Sequence, residues 1–181
     1  MNFSDFNIKR LDSNDDRPHS FKCSDSDLNE FFFIDSIKWD EQLLAVTYLV
    51  YIENKPVSYF SISNDAIKKE NLTNSKFKKL TRSVPYSKRY NTMPAVKIGR
   101  LATGEQWTGN GIGTFVINFI KAWFTKGNKT GCRFIIVDAY NNDKTIRFYE
   151  KNGFTFLLTT DTEETTRLMV FDLFTFKSSL Q

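Results

Sequence analysis

Between Thr108 and Thr114 the chain reads TGNGIGT, and an apolar helical pattern follows without a break. Three glycines in that spacing leave the main chain bare at the start of a helix. N–H groups there find no partner inside the helix, and its dipole adds positive potential, so the segment suits a phosphate. The backbone of Gly109, Asn110, Gly111, Ile112, Gly113 and Thr114 is the expected cradle, with the Thr108 hydroxyl as an extra donor. A nucleoside triphosphate loop needs Lys-Ser/Thr after its glycines, and none follows here. A dinucleotide fingerprint needs GxGxxG after the first strand of a βαβ unit, whereas this spacing is GxGxG and lies in mid-chain.

A second cluster with chemical capacity lies in NNDKTIRFYEKNGF, residues 141–154. It reads as a short helix with Asn142 as N-cap and Gly153 just past its end. Asn142, Thr145, Ile146 and Tyr149 then share one helical face. A tyrosine there stays protonated at neutral pH, since its ordinary pKa is about 10.

Positioning these groups requires strands before each helix. NFSDFNIKRL alternates as a first strand, and SDSDLNEFFFIDSIKW reads as an amphipathic helix with Ser24 as N-cap. LLAVTYLVYIENKPVSYFSIS is a hairpin turning through Glu53-Asn54-Lys55-Pro56. Residues 64–92 are polar and basic, with one or two short helices expected. A strand then begins at Pro94 and runs into the glycine loop. In the next helix Ile112, Phe115, Val116, Phe119, Ile120 and Trp123 form the apolar face, with Asn118, Lys121 and Thr125 opposite. RFIIVDAY, FTFLLTT and TTRLMVFDLFTF are the remaining strands. The expectation is a single mixed α/β domain over residues 1–181.

Composition narrows the function classes. The two cysteines, Cys23 and Cys132, lie far apart, and one histidine (His19) accompanies them, so a structural zinc site is excluded. No apolar leader opens the chain and the longest apolar run is half of what a spanning helix needs, so a cytoplasmic protein with no membrane partner is expected. The net charge of +4 conceals an asymmetry. Residues 68–100 hold ten Lys/Arg against Glu70 alone, while residues 1–30 and 138–172 each hold seven acids against four bases. A local excess of that size offers an anion a binding surface.

The glycine loop resembles the pyrophosphate loop of the GNAT N-acetyltransferase superfamily, Q/R-x-x-G-x-G/A. Gly111 and Gly113 match its small positions, and Thr108 stands where Gln or Arg is usual. The superfamily's other signature, N-x-x-A-x-x-x-Y-x-x-x-G-F, matches at Asn142, Tyr149, Gly153 and Phe154, with Thr145 in place of Ala. Phe21, Cys23, Leu28, Tyr59, Gly99, Arg100, Leu101 and Ala102 are further similar to the toxin branch that acetylates charged tRNA, with Ser24 and Ser58 replacing glycines. Lys88 and Arg89 match a basic pair that this branch carries before its fourth strand.

The resemblance implies a mixed, mostly antiparallel central sheet of six to seven strands with helices on both faces. It implies acetyl-CoA as cofactor, bound at Thr108–Thr114 and Asn142, and backbone donors at Leu101, Ala102 and Thr103 for the thioester oxygen. Tyr149 then protonates the leaving thiolate. It also implies charged tRNA as a partner, met by Arg82, Lys88 and Arg89, together with a small DNA-binding antitoxin and a homodimer. No carboxylate lies in the strand Pro94–Ala102, which suits an α-amine near pKa 7.7–8.0 better than a lysine near 10.4. Asp35 or Glu41 of the first helix remains open as a distant base, and a small-molecule or protein amine remains open as acceptor. A catalytically silent coenzyme A-binding module is a third reading.

Overall fold

A computed structural model describes residues 6–126 and 130–179. Seven strands form one sheet in the order β1-β2-β3-β4-β5-β7-β6. They are β1 (Phe6–Leu11), β2 (Val46–Ile52), β3 (Lys55–Lys68), β4 (Thr92–Thr103), β5 (Phe134–Tyr140), β6 (Thr155–Phe156) and β7 (Thr166–Asp172). The pairs β1/β2, β2/β3, β5/β7 and β6/β7 are antiparallel. The helices are α1 (Ser26–Glu30), α2 (Ser36–Glu41), α3 (Asn74–Leu80), α4 (Ile112–Thr125), α5 (Asp143–Lys151) and α6 (Leu173–Ser179). This is the mixed, mostly antiparallel α/β architecture expected of the GNAT fold.

Several boundaries differ from the sequence reading. Residues 2–5 of the expected first strand lie outside the described residues. Asp25, not Ser24, caps α1, its Oδ1 accepting the Leu28 N–H at 3.1 Å. Between α1 and α2 the chain makes a π-turn, Phe31–Asp35. Its wider turn lets the adjacent Phe31 and Phe32 both reach the core, at 1% and 0% exposure. The hairpin turns on Glu53 and Asn54 alone, both with positive φ (47° and 63°). Two left-handed residues match the twist of the flanking strands, so Lys55 and Pro56 already belong to β3. The FTFLLTT strand shortens to β6. The last strand stops at Asp172, whose Oδ1 accepts the Phe174 N–H at 2.9 Å and starts α6 where FDLFTF alternates like a strand.

Contacts divide the chain into two compact units. The first comprises the chain up to Ser63 together with Ile98–Ile120. Its aromatic core includes Phe21, Cys23, Phe31, Phe32, Leu49, Tyr59 and Ala102. Cys23 behaves there as a small apolar group, with burial raising its pKa. The Tyr59 hydroxyl donates to Leu28 O at 2.6 Å, tying α1 to β3. The second unit comprises Asn64–Lys97 and the chain from Lys121 onward. Its core joins Ile67, Phe77, Met93, Ala95, Phe134, Ile136, Leu157 and Val170. Ile67 explains why β3 continues to Lys68: the polar segment beyond Ser63 carries one apolar anchor, 3% exposed. Among the described residues no helix is long and apolar enough to cross a membrane.

Candidate active site

In the first unit the end of β4 is held by short contacts. Ser58 is buried, and its hydroxyl donates to Ala102 O at 2.6 Å. The neighbouring Gly104 N–H donates to Val57 O and the Glu105 N–H to Lys22 O, both at 2.9 Å. The chain around Ala102 is thereby tied to Val57, Ser58 and Lys22, and Ser58 finds its partner there in place of the glycine expected by resemblance.

A 3-10 turn, Glu105–Trp107, leads from β4 into the glycine loop. Thr108, Gly109, Asn110 and Gly111 are exposed, whereas Ile112 is 1% exposed and anchors α4. Gly109 and Gly111 adopt φ of +84° and +79°, and a Cβ built on either would meet nothing within 4 Å. The glycines therefore serve backbone conformation and leave open space over the loop. The Phe115 N–H to Gly111 O bond, 3.0 Å, opens the helix. The first N–H groups of any α-helix lie ahead of its own acceptors. Thr108 Oγ1 lies 3.3 Å from Gly104 O and donates there, so its hydroxyl is already engaged. The Trp107 indole N–H is buried with no acceptor among the described residues. An open loop of left-handed glycines beside an orphan donor fits a pyrophosphate.

In the second unit α5 presents the other expected residues. Asn142 caps the helix, its Oδ1 accepting the Thr145 N–H at 2.9 Å, which leaves its amide NH2 as the available donor. Asn142 is exposed, Thr145 and Ile146 are half-buried and Tyr149 is buried. The Tyr149 ring packs edge-on against Phe148 and Phe154, with centroids 5.0 and 5.3 Å away. Burial raises its pKa above the ordinary tyrosine value, which keeps the phenol protonated at neutral pH.

Arg82, Lys88 and Arg89 are exposed in this same unit, the last two in a 3-10 turn, Ser87–Arg89. None of the three forms an ion pair among the described residues. Other cations of residues 68–100 are tied locally. Lys97 pairs with Asp138 at 2.5 Å, and Lys76 donates to Phe156 O at 2.8 Å. Arg100, in the first unit, donates to Gly99 O and lies 5.0 Å over the Phe31 ring. The sequence reading missed Tyr86 and Tyr90, which are 73% and 48% exposed. Tyr86 holds φ +55°, and the Arg89 guanidinium lies 5.1 Å from its ring centroid. The alternation of aromatic and basic residues in YSKRY was the available signal. His19 is exposed against Phe33, with ring centroids 5.8 Å apart.

The family model for the acetyltransferase (GNAT) domain matches residues 46–156, which contain β2 through β6 and both candidate clusters. The chain belongs to this family. No curated protein sequence matches it. Among solved structures, AtaT complexed with acetyl-methionyl-tRNAfMet is similar over 98% of this chain and 100% of that one, at 19% identity and TM-score 0.78. AtaTR bound with AcCoA covers 99% and 100%, at 18% identity and TM-score 0.72. A tyrosine-to-phenylalanine mutant of the AtaT toxin bound to the C-terminus of the antitoxin AtaR covers 98% of each chain, at 18% identity and TM-score 0.73. At these identities the likeness is one of fold. The protein is a GNAT acetyltransferase, and its fold is that of these toxins.

Proposed function

We propose that this GNAT acetyltransferase takes its acetyl group from acetyl-CoA and passes it to the α-amine of a charged tRNA. The observation that carries the acceptor is the segment Arg82 to Tyr90, where the exposed cations Arg82, Lys88 and Arg89, without ion-pair partners among the described residues, accompany the exposed Tyr86 and Tyr90. Cations meet phosphates and aromatic faces meet unpaired bases, which is the chemistry of a single-stranded nucleic-acid end. The fold similarity to AtaT in its acetyl-methionyl-tRNAfMet complex supports the same reading.

Under this reading the Gly109–Thr114 backbone binds the coenzyme A pyrophosphate, and Asn142 is a further cofactor-binding residue. Leu101, Ala102 and Thr103 supply N–H groups to the thioester oxygen as it becomes negative. Acetyl-CoA brings the activated acyl group. Tyr149 retains its proton through burial and delivers it to the departing thiolate. An aminoacyl α-amine needs little help from a base, because near pKa 7.7–8.0 it is partly neutral at physiological pH. The proposed protein partners are a small DNA-binding antitoxin, with support from the antitoxin-bound AtaT toxin, and a second copy of the chain.

Labelled acetyl-CoA incubated with bulk charged tRNA, polyamines and peptides tests the acceptor. Label in N-acetyl-aminoacyl-tRNA supports the proposal. Label confined to polyamine or peptide transfers the assignment to a small or protein amine.

A further inference from the structure

Lys121 of α4 is 5% exposed, although its sequence position places it with the polar residues of that helix. A buried lysine ordinarily pairs with a carboxylate. Here, among the described residues, no acid does so. Its Nζ instead donates to Asn152 O at 2.6 Å and lies 4.0 Å from the Phe171 ring centroid and 5.9 Å from that of Phe154.

All three contacts bear on the end of α5. Asn152 directly follows the helix, its N–H reaching Phe148 O and Tyr149 O at 3.2 and 3.0 Å. Its Nδ2 also donates to Phe148 O at 2.8 Å. Gly153 takes φ +78°, and a Cβ there would come within 3.1 Å of Phe171 Cε2, so the turn is packed tightly on β7. The Phe154 N–H donates to Tyr149 O at 3.0 Å, and the two rings meet edge-on. A cation suits this place because it faces helix C-terminal carbonyls and two aromatic faces.

We propose that Lys121 is a positioning residue for catalysis: its ammonium, clamped between Asn152 O and the rings of Phe171 and Phe154, locks the last turn of α5 and with it the orientation of Tyr149. The inference rests on Tyr149 as proton donor. It carries a stability signature that distinguishes it from a simple cap. Burial lowers the Lys121 pKa from 10.5 to about 8. The unfolded chain therefore binds the extra proton between those values, and stability rises with pH through that window. Below pH 8 the charged group is retained at a cost in stability. Asn152 O beyond α5, Phe154 and Phe171 of β7 face the ammonium and do not titrate. Tyr149, one ring further, titrates well above this range.

The test uses the full chain with Lys121→Met, which keeps the stem without the charge, and Lys121→Arg, which keeps the charge. Each is made alone and with Tyr149→Phe. Ring-¹³C tyrosine NMR follows Tyr149, assigned among the seven tyrosines by its loss in Tyr149→Phe. The Tyr149 resonance of the parent should shift with a midpoint near pH 8, the Met variant should hold the parent's high-pH position at every pH, and the Arg variant should lack the step. Turnover on charged tRNA should fall at least tenfold in Lys121→Met, with KM for acetyl-CoA unchanged and no further loss in the Tyr149→Phe background. A Tyr149 resonance unmoved from the parent's below pH 8 in Lys121→Met, or a step that persists in Lys121→Arg, overturns the proposal. If the Met variant does not fold, the Arg variant alone decides. Normal turnover in Tyr149→Phe would remove the proton-donor reading and leave the NMR result to stand for the clamp by itself.

Discussion

The rings of Tyr149 and Phe154 meet edge-on, their planes at 67° and their centroids 5.3 Å apart. Four residues lie between them in sequence, and Gly153 makes the approach possible by turning the chain with φ +78°. The phenol is thus oriented by an aromatic wall, while no hydrogen bond among the described residues holds its oxygen. Under the proposed mechanism its proton is the one delivered to the thiolate.

Replacing Tyr149 with Phe preserves this packing and removes the proton. Turnover should fall by about 10²–10⁴, or roughly 3–5 kcal/mol in the barrier, with coenzyme A affinity unchanged. Steady-state kinetics together with calorimetry check both halves. Near-normal turnover would make Tyr149 a packing residue.

At Gly111 two substitutions separate backbone strain from obstruction. Val resists positive φ and fills the open space, while Asn tolerates the left-handed region. Gly111→Val should weaken coenzyme A binding by tenfold or more, about 1.4 kcal/mol. Gly111→Asn should weaken it less if strain dominates, and equally if the side chain blocks the phosphate. Undiminished affinity in both, measured by calorimetry, would take the pyrophosphate away from this loop.

Charge reversal of Arg82, Lys88 and Arg89 to Glu should abolish transfer to charged tRNA while acetyl-CoA binding persists. In the parent, log affinity for tRNA should fall by about 0.7–0.9 per contact for each log unit of salt. Tyr86→Ser with Tyr90→Ser should lower affinity by roughly 1–3 kcal/mol per stacked base without changing that slope. Binding titrations at several salt concentrations discriminate the two effects, and a salt-independent affinity contradicts the whole surface.

Arg17 offers a stability test remote from these groups. It is 7% exposed, its Nη1 donates to Asp12 O and Asp15 O at 2.7 and 2.6 Å, and Nε and Nη2 reach Ser36 Oγ at 3.3 and 3.2 Å. Arg17→Ala should cost about 3 kcal/mol, because buried acceptors lose a charged donor. Urea denaturation gives the value, and a loss under 1 kcal/mol would show that water replaces the guanidinium.

Local chemistry alone determined much of this protein. The bare glycine loop TGNGIG at a helix start, the Asn142 cap and the strand hairpin all depend on neighbours within a few residues, and so they were legible in the sequence. Conformational preference and hydrogen bonding act at that range. The GNAT signature follows from the same short-range demands. Tertiary structure decided the choices between locally equivalent options. Ser24 and Asp25 are both competent caps, and FDLFTF alternates like a strand until the Asp172 carboxylate takes the Phe174 N–H. Which cations of residues 68–100 remain free depended on Asp138 and Phe156, far along the chain. Lys121 is the clearest case. Helical spacing assigns it to solvent, and only the arrival of Phe171, fifty residues later, together with the end of α5, turns an exposed position into a buried one. A periodicity reports which residues share a face of one helix, but the rings that will cover that face come from other segments.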